Sequence, residues 1–153
     1  MKKLYSVALA LLCSVQVFAQ SQQAGADEIC AVAGKHYETI RTGDTGAIVN
    51  QHLPEFTFFT PDGGLLWSFA SLDQQRSEFE LDPTWDSQTY IRHCSAQIYG
   101  DTAVATYYLT GSVTNAGKTR TGTWRVTEVW VRQQNEWKEA HHHESPLLTS
   151  LNP

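Results

Sequence analysis

The sequence predicts an α+β domain, with N-terminal helices packed on a curved antiparallel sheet. Two observations carry this. Before Ser87 apolar residues recur at intervals of three and four, with one strand signal among them; from Ser87 to His143 the period is two. Turn residues break that second region into four long strands. Helices first and a meander afterwards exclude an alternating parallel architecture.

The elements follow in order. Lys2 and Lys3, an apolar run from Leu4 to Val17, and Ala19 at a cleavage point form a secretory signal peptide, residues 1–19. The run is too short to span a membrane. Leu12 stands before Cys13 where a lipidation signal calls for a small residue. Residues 20–26 read as a flexible leader, 27–148 as one domain and 149–153 as a tail. Asp27 is placed to cap a helix whose stripe is Ile29, Val32, Ala33, His36, Tyr37 and Ile40. Gly43 ends it, and Asp44 caps a short second helix through Ala47, Ile48 and Val49.

Glu55 to Thr60 is β-branched and aromatic, hence a strand, and Pro61-Asp62-Gly63-Gly64 is a turn. After the apolar piece from Leu65 to Phe69, Ser71 caps a third helix carrying Leu72, Arg76 and Phe79. Its Asp73 and Glu80 read as a solvated face. Asp82-Pro83 stops it. The meander strands are Gln88–Tyr99, Thr102–Asn115, Thr119–Arg132 and Trp137–His143, with a hairpin turn at Asn115-Ala116-Gly117-Lys118.

Composition limits function. Without Lys2 and Lys3, nine basic side chains face sixteen acidic ones, a formal charge of about −7. That argues against nucleic acid and anionic membrane as partners. Cys30 and Cys94 remain, and in an exported, periplasmic or secreted chain they are either one disulfide or two buried thiols. No phosphate loop, nucleophile elbow or other cofactor motif is present.

The motifs TEVWVRQQNEWKEAHHHES, YGDTAVATYYLTG and LPEFTFFTPDGG, with the Gly-Asp entry, resemble the nuclear transport factor 2-like superfamily. Within it the sequence is most similar to the association domain of calcium/calmodulin-dependent protein kinase II, from Ile29 to Pro146. The resemblance implies a cystatin-like cone, an internal pocket, and a homo-oligomer, either a dimer or a ring of dimers. It implies pocket arginines at three strand positions, which here read Tyr108, Glu128 and Glu144. That argues against an anionic ligand. The superfamily's ketosteroid isomerases and SnoaL-like cyclases imply a carboxylate before the proline after the first strand. Thr60 stands there, with Asp62 two residues late; the isomerase tyrosine is matched approximately by His36, with Tyr37 beside it.

Strand alternation sorts the side chains. Trp124, Val126, Glu128 and Trp130 share one face, and His142 and Glu144 share another that meets it. The family resemblance implies that Glu128 and Glu144 face the pocket, and with the residues that share their faces the expected lining is Tyr37, Tyr108, Trp124, Glu128, Trp130, His142 and Glu144. The five tryptophans read mainly as core or interface anchors, two of them reaching the pocket. Glu128, Glu144 and His142 are the candidate acid–base groups; otherwise the carboxylates pair with Arg125, Arg92 or backbone donors. His141 and His143 suggest a metal, but no third or fourth ligand can be named, so no metal site is assigned. The expected function is an exported, oligomeric, non-catalytic binder of an unknown small molecule. The alternatives are an isomerase- or cyclase-type acid–base enzyme and a purely structural oligomerisation module.

Overall fold

The computed structural model describes residues 2–61, 63–78 and 83–147, with side chains from residue 22 onward. Asp62, Phe79, Glu80, Asp82 and the tail assigned to 149–153 lie outside the described residues. The first helix, α1, runs from Lys2 to Thr42 without a break. The helix runs through the stretch read as a leader, 20–26, and through Asp27, which therefore does not cap it. Gln and Ala dominate that stretch and are good helix formers, and Gln23 donates to Asp27 from one turn away at 2.8 Å. Among the described residues no helix is long and apolar enough to cross a membrane.

The end of α1 follows its sequence. Gly43 takes a left-handed φ of 70° and its N–H closes on the Ile40 carbonyl at 3.1 Å. The Trp85 indole donates to the same carbonyl at 3.2 Å. Asp44 then caps α2, Thr45–Val49, by accepting from the Ala47 N–H at 2.9 Å. Ser71 caps α3, Leu72–Glu78, in the same way, through the Gln74 N–H at 3.1 Å.

The strands are β1 (His52–Phe59), β2 (Trp67–Ser68), β3 (Asp86–Tyr99), β4 (Thr102–Asn115), β5 (Lys118–Gln133) and β6 (Glu136–Pro146). They form one sheet in the order β2-β1-β6-β5-β4-β3, antiparallel except for the parallel pair β1–β6. The first strand starts earlier than its β-branched stretch suggests. Pro54 fits inside it because pairing with β6 lapses between His52 and Thr57. Two residues with positive φ, Ala116 and Gly117, turn β4 into β5, and Gln134 and Asn135 turn β5 into β6.

One face of α1 packs on β3 and β4. The core joins Ile29, Ala33 and Tyr37 of the helix to Ala105, Tyr107 and Leu109 of β4 and to Trp124 and Trp130 of β5. Cys30 and Cys94 form a disulfide that ties α1 to β3, resolving the open choice between bridge and thiols. Near the β5–β6 turn Glu28 accepts from Arg132 at 3.0 Å and from the Trp137 indole at 3.0 Å, fixing α1 against β5 and β6.

Three register shifts interrupt the ladders: in β1, in β3 between Arg92 and Ser95, and in β6 opposite Val129 and Trp130. Each bends its strand and increases local twist. At Gly111 the backbones of β4 and β3 approach so closely that an added Cβ would lie 1.9 Å from the Gln88 carbonyl oxygen, at a φ of 143°. Gly34, inside α1, has no atom within 4 Å of the same position.

Two substitutions test this geometry by chemical denaturation. Gly111→Ala should lower stability by about 3 kcal/mol or more, because backbone must move. Gly34→Ala should raise it by about 0.5–1 kcal/mol, the ordinary helix gain. Equal effects would contradict the close approach.

Candidate functional site

The last strand places the site. Strict alternation would put Glu139 on the face of His141 and His143. The register shift leaves Val129 opposite His141 and Trp130 opposite Glu139, so Ala140 is the extra residue. Trp137 and Glu139 therefore point inward before the bulge, and His142 and Glu144 point inward after it. Glu139 becomes fully buried, and the sequence reading missed it for this reason alone.

Glu128 on β5 is also fully buried. Tyr107 donates to its Oε1 and the Trp130 indole donates to Oε2 at 2.9 Å. His142 lies beside it, with Nδ1 at 3.6 Å from Glu128 Oε1 and 3.0 Å from Glu139 Oε1. The other ring nitrogen of His142 is 3.5 Å from Glu144 Oε2. One imidazole thus bridges three carboxylates. Burial alone would lower the His142 pKa, but Glu128, Glu139 and Glu144 outweigh it and hold it well above the usual range. Burial would raise Glu128; His142, His36 and Tyr107 outweigh that and hold it below its usual value. Glu139 goes the other way, raised by burial and by the charge of Glu128.

His36 of α1 and His52 of β1 approach Glu139 from the opposite side, at 3.3 Å and 3.5 Å from its Oε2. His52 stacks on Phe56 with ring centroids 4.0 Å apart. Burial, then the charge of His36, lowers its pKa to about 3. Tyr37 and Tyr107 meet edge to face, and burial holds both phenols well above their usual pKa, so both keep their protons.

Several of these groups line a cavity of about 390 Å³. Tyr37, Trp124, His142 and Glu144 border it as the sequence places them, and His36, His52 and Glu139 border it too. Trp67, Trp85 and Trp124 reach it, one tryptophan more than expected. Trp130 does not border it; fully buried in the core, it meets His36 edge-on. Glu128 lies beneath the wall, with both oxygens engaged. Tyr108 is on the other side of the sheet, 40% exposed and edge-on to His93, and the inward tyrosine of β4 is Tyr107. A signal for that existed: Ala103, Ala105, Tyr107 and Leu109 share one parity and all are buried. Arg125 pairs across the ladder with Tyr108, facing outward, so the buried carboxylates are compensated by imidazoles, phenol and indole. Outside the cavity, the His141 Nδ1 lies 2.8 Å from the Thr57 hydroxyl.

The sequence model of the calcium/calmodulin dependent protein kinase II association domain matches residues 25–147. No curated protein matches significantly. Among solved structures, the Chlamydomonas reinhardtii kinase II hub homology domain is 22% identical, with a TM-score of 0.65, covering 81% of this chain and 98% of that one. A nuclear transport factor 2-like protein from Cytophaga hutchinsonii is 16% identical, with a TM-score of 0.65 and coverage of 79% and 97%. A Caulobacter vibrioides protein with a cystatin-like fold is 15% identical, with a TM-score of 0.63 and coverage of 80% and 89%. At these identities the likeness is one of fold, and it bears out the cystatin-like α+β class.

The two tyrosines of β4 separate inner from outer face. Tyr107→Phe removes a donor from a buried carboxylate and should destabilise by about 1.5–3 kcal/mol, whereas Tyr108→Phe should stay within about 0.5 kcal/mol. Denaturant midpoints check this, and a larger loss for Tyr108→Phe would reverse the face assignment.

Proposed function

The chain belongs to the calcium/calmodulin-dependent protein kinase II association domain family, and from that premise we propose that it is an exported, homo-oligomeric, non-catalytic small-molecule-binding domain. The observation that carries the binding half is the cavity. Its volume of about 390 Å³ lies within the range of small-molecule pockets, with aromatic walls and a few convergent polar groups. The ligand class follows from the lining. Glu144 stands at a position where the family resemblance implies arginine, with Glu128 behind it. A small, largely apolar molecule with an amine or other strong donor suits Glu144; an anion does not.

The oligomeric half is supported by the family and by the outer face of β4–β6. Tyr108, Val129 and Val131 lie there beside Arg125 and His143, a mixed surface of the kind that copies bury against one another. Export is supported by the signal-type N-terminus and by the Cys30–Cys94 bridge, which persists in oxidising compartments.

A second reading, acid–base catalysis, draws on the contact between His142 and Glu144 at 3.5 Å on the cavity wall. In that reading Glu144 is the base and His142 the proton donor. Glu128 holds His142 in place and does not meet a substrate.

Light scattering on the purified chain should give a multimer; a monomer at high concentration would remove the oligomeric half. For binding, chelator-treated protein is screened by thermal shift against arylalkylamines and the matching carboxylates. The amines should stabilise it, and Glu144→Gln should weaken the best of them about tenfold or more. Preference for the carboxylates would overturn the ligand class.

A further inference from the structure

Glu139 presents two oxygens to different partners. Oε1 faces His142 Nδ1 at 3.0 Å. Oε2 is fully buried and has no hydrogen-bond partner. It nevertheless sits between two imidazole nitrogens, His36 Nε2 at 3.3 Å and His52 Nε2 at 3.5 Å. A buried carboxylate oxygen without a donor is costly unless something positive meets it.

Two glutamines fix how the imidazoles face it. The Gln51 amide nitrogen donates to the Ala47 carbonyl at 3.2 Å, so its oxygen is the acceptor for His36 Nδ1, also at 3.2 Å. The Gln75 amide nitrogen donates to the Leu53 and Pro54 carbonyls at 2.7 Å and 2.9 Å, which leaves its oxygen to accept from His52 Nδ1 at 3.0 Å. Both rings therefore carry their hydrogen on Nδ1 and turn Nε2 toward Glu139. In the neutral rings each Nε2 turns a lone pair toward the carboxylate; the three ligand atoms lie within 4.8 Å of one another, and all three side chains are buried.

We infer that His36, His52 and Glu139 form a binding site for one divalent transition-metal ion, of which Zn²⁺ is the chemical type. Two imidazoles and one carboxylate are a donor set that Zn²⁺ and its neighbours accept, and that Mg²⁺ and Ca²⁺ disfavour. The two carboxylate-to-imidazole spacings, 3.3 Å and 3.5 Å, agree: ligand atoms about 2.0–2.1 Å from a tetrahedral ion lie about 3.3 Å from one another. Gln51, Gln75 and His142 are the outer groups that orient the three ligands, each hydrogen-bonded to a ligand atom not used for the metal. All three ligands border the cavity, so a fourth position opens to water or to a ligand donor atom. The run His141-His142-His143 contributes no ligand. His141 is engaged with Thr57, and His142 serves from behind.

The competing occupant is a proton shared between Glu139 and one imidazole. The full chain, stripped with a chelator and dialysed, is titrated with Co²⁺ while visible absorption is followed, and then with Zn²⁺ by competition. The expected result is one ion per chain, with the intense visible bands of tetrahedral Co²⁺. Glu139→Gln keeps the shape and loses the anion, and should weaken Co²⁺ binding about a hundredfold or more, since changes to outer groups alone cost about 10–100-fold. Gln51→Ala should weaken it within that smaller range. His141→Ala/His143→Ala should bind as wild type. Folded wild-type protein that takes up no ion would assign the point to a proton and overturn the site, whatever the variants do. Loss of binding in His141→Ala/His143→Ala, or unchanged binding in folded Glu139→Gln, would overturn it as well. The readout depends on neither an organic ligand nor the oligomeric state, so its failure leaves the proposed function standing.

Discussion

Two carboxylates at full burial, on neighbouring strands, constrain everything around them. Removing the compensation from a buried charge costs about 3–5 kcal/mol, a large part of the stability of a domain this size. Glu128 and Glu139 therefore dictate what can stand beside them. Tyr107 and Trp130 carry hydrogens they cannot lose at ordinary pH, and both donate to Glu128. His142 supplies the positive charge between the pair, and its high pKa is the electrostatic image of three acidic neighbours. An aliphatic core could fill this space more cheaply. The polar cluster instead lines part of a cavity wall.

The fold brings that cluster together through an irregularity. In a regular β6, Glu139 would face outward, Oε2 would meet solvent, and His36 and His52 would have no acid to approach. One extra residue at Ala140 reverses the parity and delivers Glu139 to the helix side. The lapse in β1 pairing lies next to it and lets His52 reach the same point. Gln75, from α3, then locks the His52 ring. Elements distant in sequence thus meet at one carboxylate, while the long hairpins on either side supply rigidity.

Much of this architecture was legible beforehand. The period-two meander, the stripe on α1, the Asp44 and Ser71 caps and the Ala116-Gly117 turn are local patterns, and local chemistry decides them. His142, Glu144 and Trp124 could be sorted into faces because they lie on regular stretches, and the family resemblance supplied which face turns inward. Three features were missed. Glu139 depended on a bulge, which leaves no composition signal. The choice of Tyr108 over Tyr107 ignored the buried parity of Ala103, Ala105 and Leu109, information the sequence did hold. The pairing of His36 with His52 depended on a parallel contact between the first and last strands, which no spacing encodes. The likeness to association domains helped with the scaffold and misled about the lining, because a family fold tolerates a changed interior.

The account rests on the protonation pattern of the cluster. Nitrogen-15 spectra of histidine-labelled, chelator-treated protein at neutral pH read it directly. The account predicts a doubly protonated His142, and a neutral His52 with hydrogen on Nδ1 alone. A neutral His142, or an Nε2–H tautomer on His52, would contradict it.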